Sequence, residues 1–289
     1  MNQTNNNLKL DRLYGILELK GEDVREFLHG QLSADIINMA IGQSRLAAYC
    51  DPDGRVLAVV LVYCAADDQI FVILNRLLAG SIAQRLQKFI LRARVEVIEI
   101  SRHYQIFGAH GQTDIQPAVH IPLPEPADRN LILYPANLTL PAEFTQTLLD
   151  ESNWRRRDIE LGLCWLNPAT SGRFLPQMLG LLELAAVSFD KGCYPGQEVI
   201  AKIHYRGAVK RRLIPVTIEG CGALECPAEI VTTGSGLQER KAGWLIDGVT
   251  FQDDLIKGLA VLNTNVITSD QMLSLTDGRH IERLHIPGN

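Results

Sequence analysis

The sequence predicts an α+β fold, with helices layered on antiparallel sheet and a small antiparallel β-barrel at the C-terminal end. Three observations carry that expectation. Apolar patterns in strand–strand–helix–strand order occupy residues 56–100. After Leu213 the texture changes to short apolar runs punctuated by glycine. At 289 residues and 46% hydrophobic composition, the chain can bury more than one core.

The elements follow in order. Leu13 to Lys20 alternates, with Leu13, Gly15, Leu17 and Leu19 on one face and Tyr14, Glu18 and Lys20 among those on the other, as a half-buried strand does. Gly21-Glu22-Asp23 opens a helix with Val24, Phe27 and Leu28 at i, i+3, i+4 spacing, and Gly30 is its expected stop. The runs Leu46–Cys50 and Val56–Cys64 flank Asp51-Pro52-Asp53-Gly54, a type I turn signal, and so form a hairpin. Gln69–Leu74 is another strand. A helix over about Arg76–Ile90 carries Leu78, Ile82, Leu86 and Phe89 on its apolar stripe, and Arg94–Ile100 returns as a strand. This order suggests a ferredoxin-like layer of sheet and helix. The proline-rich stretch Gln116–Pro141 reads mostly as loop, with one strand at Leu131–Tyr134, and leads from one domain into another. Phe144–Gly162 reads as helical, in one or two pieces, around Trp154-Arg155-Arg156-Arg157. Ile214–Ile218, Ile230–Thr233, Trp244–Ile246, Gly258–Leu262 and Met272–Leu275 are the barrel strands.

Composition narrows function. A net charge of −5 argues against a protein that coats nucleic acid or anionic lipid. No run approaches the roughly 18 apolar residues of a membrane span. The polar start Met1–Asn7 lacks signal-peptide order and reads as a frayed tail. Six scattered cysteines without a Cys-x-x-Cys pair are expected to be reduced thiols in the cytoplasm, and no metal site is expected from the Cys221/Cys226 spacing. Nucleotide-binding glycine motifs, a Gly-x-Ser-x-Gly elbow and metal-ligating histidine spacings are all missing.

The densest cluster of unusual choices is Phe189–Arg212. From Lys191 to Arg212, six basic residues (191, 202, 206, 210, 211, 212) stand against one acid, Glu198, a local +5 in a chain of −5. Such a place suits an anion: a carboxylate-bearing ligand, a phosphate or an RNA backbone. The glycines and proline around Cys193 mark a tight turn, and Glu198–Arg206 is expected to continue as a strand with Ile200 out of phase. The residues alone leave two readings of Cys193: a small buried hydrophobe, or a thiolate favoured by nearby cations. Arg155-Arg156-Arg157 reads either as a nucleic-acid contact or as a solvated helix face balanced by Asp158 and Glu160.

The run Phe189-Asp190-Lys191-Gly192-Cys193-Tyr194-Pro195-Gly196-Gln197-Glu198, continued by Tyr205-Arg206-Gly207 and Lys210-Arg211, resembles the signature of the YgfZ family. These are folate-binding proteins related to the aminomethyltransferase (T-protein) of the glycine cleavage system. The resemblance extends to Phe27–Asp35, Cys50–Arg55 and Ser171–Gln177. It implies a T-protein-like three-domain ring with ferredoxin-like layers and a C-terminal antiparallel β-barrel. The implied partition is a discontinuous folate-binding domain (1–52 and 116–212), a ferredoxin-like domain (53–115) and a barrel (213–289).

The resemblance also implies tetrahydrofolate, or a one-carbon derivative, as cofactor. The implied role is assembly or repair of iron–sulfur enzymes, such as a tRNA methylthiotransferase. Cys193 would be the reactive thiol, with Lys191 beside it. Tyr14 and Trp154 would flank the folate, and Tyr194, Gln197, Glu198 and Arg206 would complete its site. Ala58 and Val59 stand where the related transferase has aspartates, so T-protein-type aminomethyl transfer is not expected. A folate-dependent one-carbon transferase using another acid–base group is the alternative. A weak tRNA contact through Arg155–Arg157 and Lys210–Arg212 is a third reading.

Overall fold

The computed structural model describes residues 8–111, 114–124, 128–220, 224–233, 239–251 and 255–284; the tail Met1–Asn7 and Cys221 lie outside them. The first unit is a five-stranded antiparallel sheet built from β1 (Tyr14–Lys20), β2 (Ser44–Cys50), β3 (Val56–Ala66), β4 (Gln69–Asn75) and β5 (Glu96–Glu99), in the order β2-β3-β4-β1-β5. Helices α1 (Val24–Gln31) and α2 (Ala79–Gln87) cover one face, burying Val24, Phe27, Leu28, Ile82 and Leu86 against Leu17, Leu19, Val60 and Val72. The expected face of β1 is the helix-covered one. Its other face is half-open only toward Glu18 and Lys20, because Tyr14 and Ile16 are sealed by a second layer. α1 runs through Gly30 to Gln31, and Phe89 lies beyond α2 with 44% of its surface exposed.

The second unit corrects the expectation of a mostly unstructured proline-rich stretch. β6 (Tyr104–His110), β7 (Val119–Pro122), β8 (Arg129–Pro135) and β9 (Leu148–Leu149) form a sheet in the order β7-β8-β6-β9. Pro122 ends the edge strand β7 and Pro135 ends β8, where no ladder donor is lost. The boundary expected at 52/53 falls in the β2–β3 turn, whose two strands share one ladder from Ser44↔Tyr63 to Cys50↔Val56. Sheet pairing therefore groups residues 14–99 together and 104–149 together.

Helix α3 (Glu151–Glu160) is capped by Asp150, whose side chain accepts from the Asn153 backbone N–H at 2.8 Å. Its Trp154 lies flat on β6. A Cβ added at Gly108 would come within 2.2 Å of the indole Cε3. Gly108→Ala is accordingly expected to destabilise by about 1–3 kcal/mol or more through overpacking. A clear drop in thermal midpoint checks this, and an unchanged midpoint would contradict the packing described.

Helix α4 (Gln197–Arg206) replaces the strand expected over Glu198–Arg206. The physical reason is visible in the residue that broke alternation. Ile200 is the helix's buried position, with Val199 and Ile203 beside it at helical spacing, and Gly196 in the left-handed region (φ 81°) turns the chain into the first helical residue. The remaining strands β10 (Arg211–Glu219), β11 (Ala228–Thr233), β12 (Arg240–Phe251), β13 (Leu255–Asn263), β14 (Met272–Leu275) and β15 (His280–Arg283) close into the expected barrel, interrupted by the short α5 (Thr264–Ile267). Ile214, Val216, Leu245, Ala260 and Ile281 belong to its own core. Ile246, Val249, Leu259 and Val261 instead join the core shared with Tyr14 and Trp154. Among the described residues, no helix is long and apolar enough to cross a membrane.

Candidate functional site

Three sequence segments far apart in the chain gather around the loop that carries Cys193. The segment after α1 is stapled to residues 186–188: Ser33 Oγ donates to Ala186 O (2.6 Å) and accepts from the Ala48 N–H, while Ser188 N–H donates to Ser33 O. The β2–β3 hairpin turn is closed by Gly54 N–H to Asp51 O and by Arg55 N–H to the Asp51 carboxylate (2.8 Å). Residues 171–174 run along the hairpin, through Gly172 N–H to Val56 O, Val56 N–H to Phe174 O and Ser171 Oγ to Leu57 O. Gly196 lies against the turn; a Cβ there would stand 2.5 Å from Gly54 Cα and 2.6 Å from Asp51 O, so only glycine fits.

Lys191 pins the other side of the loop. Its ammonium donates to the carbonyls of His29 and Leu32 (2.6 Å for Leu32), at the C-terminal end of α1, and sits 4.9 Å from the centre of the Tyr194 ring. Cations are favoured at that end of a helix. Gln197 reaches back to Lys191 O at 3.5 Å. Burial pulls the Lys191 pKa down to about 8, opposed by the charge of Asp35.

The sign of its pH dependence follows. Between about 8 and the ordinary 10.5, the unfolded chain holds a proton that the folded one has released. This side chain's contribution to stability is therefore least favourable below pH 8 and improves up to about pH 10.5. Urea unfolding of the wild type and Lys191→Met at pH 7, 8.5 and 10 should show the difference moving toward the wild type as pH rises. A flat difference would contradict the burial described.

Between these pins Cys193 is exposed, whereas Cys50, Cys64 and Cys164 are buried. Burial pushes the thiols of Cys50 and Cys164 far up and that of Cys226 to about 12, which makes them inert. His29 faces the same loop, with Nε2 3.6 Å from where a Gly192 Cβ would be. Its Nδ1 accepts from Ile36 N–H, and burial together with the Lys191 charge lowers its pKa, so the ring is neutral near pH 7.

A second constellation lies at the start of β1. Asp158 is buried and its carboxylate accepts from Arg129 Nη2 (2.7 Å), Tyr14 OH (3.1 Å) and Trp165 Nε1 (3.1 Å). Arg129, also buried, donates to Trp154 O and stacks 4.4 Å from the Trp154 ring, and Trp154 Nε1 donates to Tyr14 OH (2.7 Å). Burial lifts the Asp158 carboxyl above the usual range, and the guanidinium opposes it. Asp158 thus balances Arg129 of β8 rather than its helix neighbours. Arg155 instead reaches the barrel, at 2.6 Å from Asp247 and 2.8 Å from Gly248 O, while Arg156 keeps Glu160 at 3.9 Å.

Above this network opens a cleft of about 320 Å³ between β1, the end of β4, α3 and barrel strand β12. Its aromatic wall is Tyr14 and Trp165, edge to face at 5.0 Å. Asn75 and Asn167 supply amides, Arg12 and Arg155 cations, and Leu77 and Ile246 apolar surface. That volume is at the lower end of small-molecule sites, roughly 300–1,000 Å³.

The structure brings Tyr14 and Trp154 together; Tyr14 borders the cleft with only 1% of its surface exposed, and Trp154 is fully buried beneath it. Lys191, Tyr194 and Gln197 group around the Cys193 loop, while Glu198 and Arg206 lie exposed on α4. None of Lys191, Cys193, Tyr194, Gln197, Glu198 and Arg206 lines the cleft. Both places nonetheless lie at one end of the five-stranded sheet. The register Val60↔Leu74 and Tyr14↔Asn75 leaves Val56 and the turn projecting beyond Tyr14 by on the order of 10 Å. Sequence reasoning missed Trp165, the cleft's second aromatic, whose one local mark is its position just ahead of the Asn167-Pro168 turn.

A helix-backed antiparallel sheet, a second sheet and a barrel gathered about an aromatic cleft define the aminomethyltransferase-type fold. The solved glycine cleavage system aminomethyltransferase T from Bartonella henselae superposes with a TM-score of 0.69 over 95% of this chain and 83% of that one, at 15% identity. The family profile described as the GCVT N-terminal domain matches residues 12–113. An uncharacterized protein of Haemophilus influenzae is 31% identical over 278 residues, covering 95% of both chains. Proteins named tRNA-modifying protein YgfZ are 27% identical: that of Hamiltonella defensa over 86% of this chain and 81% of its own, and that of Yersinia pestis over 91% and 86%. The chain belongs to the YgfZ family of GCVT-domain proteins.

Proposed function

We propose that this protein binds tetrahydrofolate, or a one-carbon derivative, in the cleft beside Tyr14 and Trp165. In this reading it serves iron–sulfur enzymes that modify tRNA, a tRNA methylthiotransferase among them, with Cys193 as its working thiol. The observation that carries the reading is the cleft itself. It offers the half-buried ring of Trp165, backed edge-on by Tyr14, for a pterin or benzoyl ring, two amides for ring edges, and Arg12 at the rim for glutamate carboxylates. Trp165 is the ring-bearing residue in place of Trp154. The folate would supply one-carbon chemistry. The chain's own residues would hold it, with Tyr14 and Trp165 fixed in orientation by Asp158.

Aminomethyl transfer of the T-protein kind is disfavoured. Ala58 and Val59 are buried in β3 against Tyr49 and Ala48, and neither supplies a carboxylate to act as acid or base. The test is titration of tetrahydrofolate into the protein under anaerobic conditions, followed by tryptophan fluorescence and calorimetry. Saturable binding is expected, weakened at least about tenfold in Trp165→Ala, given the roughly 1.4 kcal/mol or more carried by one aromatic contact. No binding by the wild type, or equal binding by the variant, would remove the assignment.

A further inference from the structure

Outside both of these places, α4 carries a surface that neither the cleft nor the thiol accounts for. Phe189, from the segment before the Cys193 loop, stacks on His204 with centroids 4.2 Å apart and planes 13° from parallel. Tyr205 meets both rings edge-on, at 5.7 and 4.8 Å, and is 68% exposed. Phe189 is half-buried against the main core and backs the pair, so the open rings are those of Tyr205 and His204, a flat apolar surface that solvent alone does not favour.

Cations interleave with the rings. Lys202, Arg206, Lys210 and Arg212 are all exposed, against Glu183, Asp190 and Glu198 nearby, in a chain whose total charge is −5. Beside them runs a groove of about 600 Å³ lined by His204, Ile203, Gly207, Val209, Arg212 and Gln177. Gln177 is 7% exposed; its amide N–H donates to Ile200 O (2.7 Å), and its buried Oε1 has no hydrogen-bond partner among the described residues. Such a buried acceptor is uncommon in a folded protein and suits a ligand that brings a donor.

We infer that this face of α4 docks an unpaired segment of RNA. An unstacked base offers a flat apolar face to Tyr205 and His204 and N–H donors to the groove, while its phosphates meet the surrounding cations. The carboxylates of Glu183 and Glu198 disfavour a purely ionic grip, so aromatic stacking carries the preference for single strands. The inference names the partner of the tRNA-modifying role proposed above, yet it stands on residues that do not line the cleft, so each can fail alone.

The test uses the full chain and fluorescein-labelled RNA: an unmodified tRNA transcript, a 12-nucleotide single strand and a duplex of the same length, read by anisotropy. The tRNA and the single strand are expected to bind, the duplex more weakly. The logarithmic salt slope for the single strand should be about −2 to −3 if three or four phosphates are neutralised. Tyr205→Ala should weaken single-strand binding roughly 5- to 100-fold, as loss of one stacked base does, and Tyr205→Phe should restore it. Lys202→Gln with Lys210→Gln should flatten the slope. All variants should keep the wild-type melting temperature and tetrahydrofolate affinity. The inference is overturned if the wild type binds none of these RNAs at 50 mM salt, if Tyr205→Ala binds like the wild type, or if duplex binds as tightly as single strand. Loss of cellular function in Tyr205→Ala without RNA binding by the wild type would assign the face to a protein partner instead.

Discussion

Asp158→Ala should lower the thermal midpoint by about 6–20 °C, the largest stability loss expected from any side-chain truncation around the cleft. The reasoning begins with charge. Arg129 is 3% exposed and its guanidinium meets one carboxylate, that of Asp158, at 2.7 Å. Removing a partner from a buried ion pair costs about 3–5 kcal/mol because the remaining charge is uncompensated. At about 2–4 °C per kcal/mol for a chain of this size, that gives the stated range. Tyr14 and Trp165 would also lose the acceptor that orients them. Asp158→Asn keeps the shape and part of the hydrogen bonding, so it should fall between wild type and alanine. Asp158→Leu combined with Arg129→Met removes both charges and should be milder than Asp158→Ala alone. Differential scanning calorimetry decides the matter: an alanine variant melting within 2 °C of wild type would mean the pair is not the keystone described.

Cys193→Ala should leave the fold intact and abolish cellular function. Cys193 is exposed, and the pins that shape its loop are Lys191 on the α1 carbonyls and Gly196 against the hairpin turn; neither involves the thiol. Its removal should change the melting temperature by less than about 0.5 kcal/mol equivalent, as surface substitutions do, and should leave tetrahydrofolate affinity unaltered because the cleft does not include it. In a host lacking its own copy of this gene, the methylthiolated tRNA nucleosides quantified by mass spectrometry should stay at the deletion level. Full restoration by the alanine variant would end the thiol's role while leaving the folate assignment standing.

Elements whose signals are local were legible in the chain before any packing. The Asp51–Gly54 turn, the apolar stripes of α1 and α2, the runs of the barrel strands and the tight loop around Cys193 all rest on residues fewer than about ten positions apart. The cysteine loop stood out through its glycines and its charge asymmetry, although those residues alone left the thiol's role open. Features that depend on distant partners emerged only from the packing. Val199, Ile200 and Ile203 satisfy a strand pattern with one exception and a helix pattern with none, and the contact between Gly196 and the hairpin settled which forms. Trp154 looked like a ligand-facing ring until β6 closed over it at Gly108, leaving Trp165 to line the cleft. Asp158 looked like a surface counter-charge until Arg129, 29 residues away, claimed it. A burial partner so far along the chain leaves no periodic trace, which is why the sequence located the thiol but not the walls of the cleft.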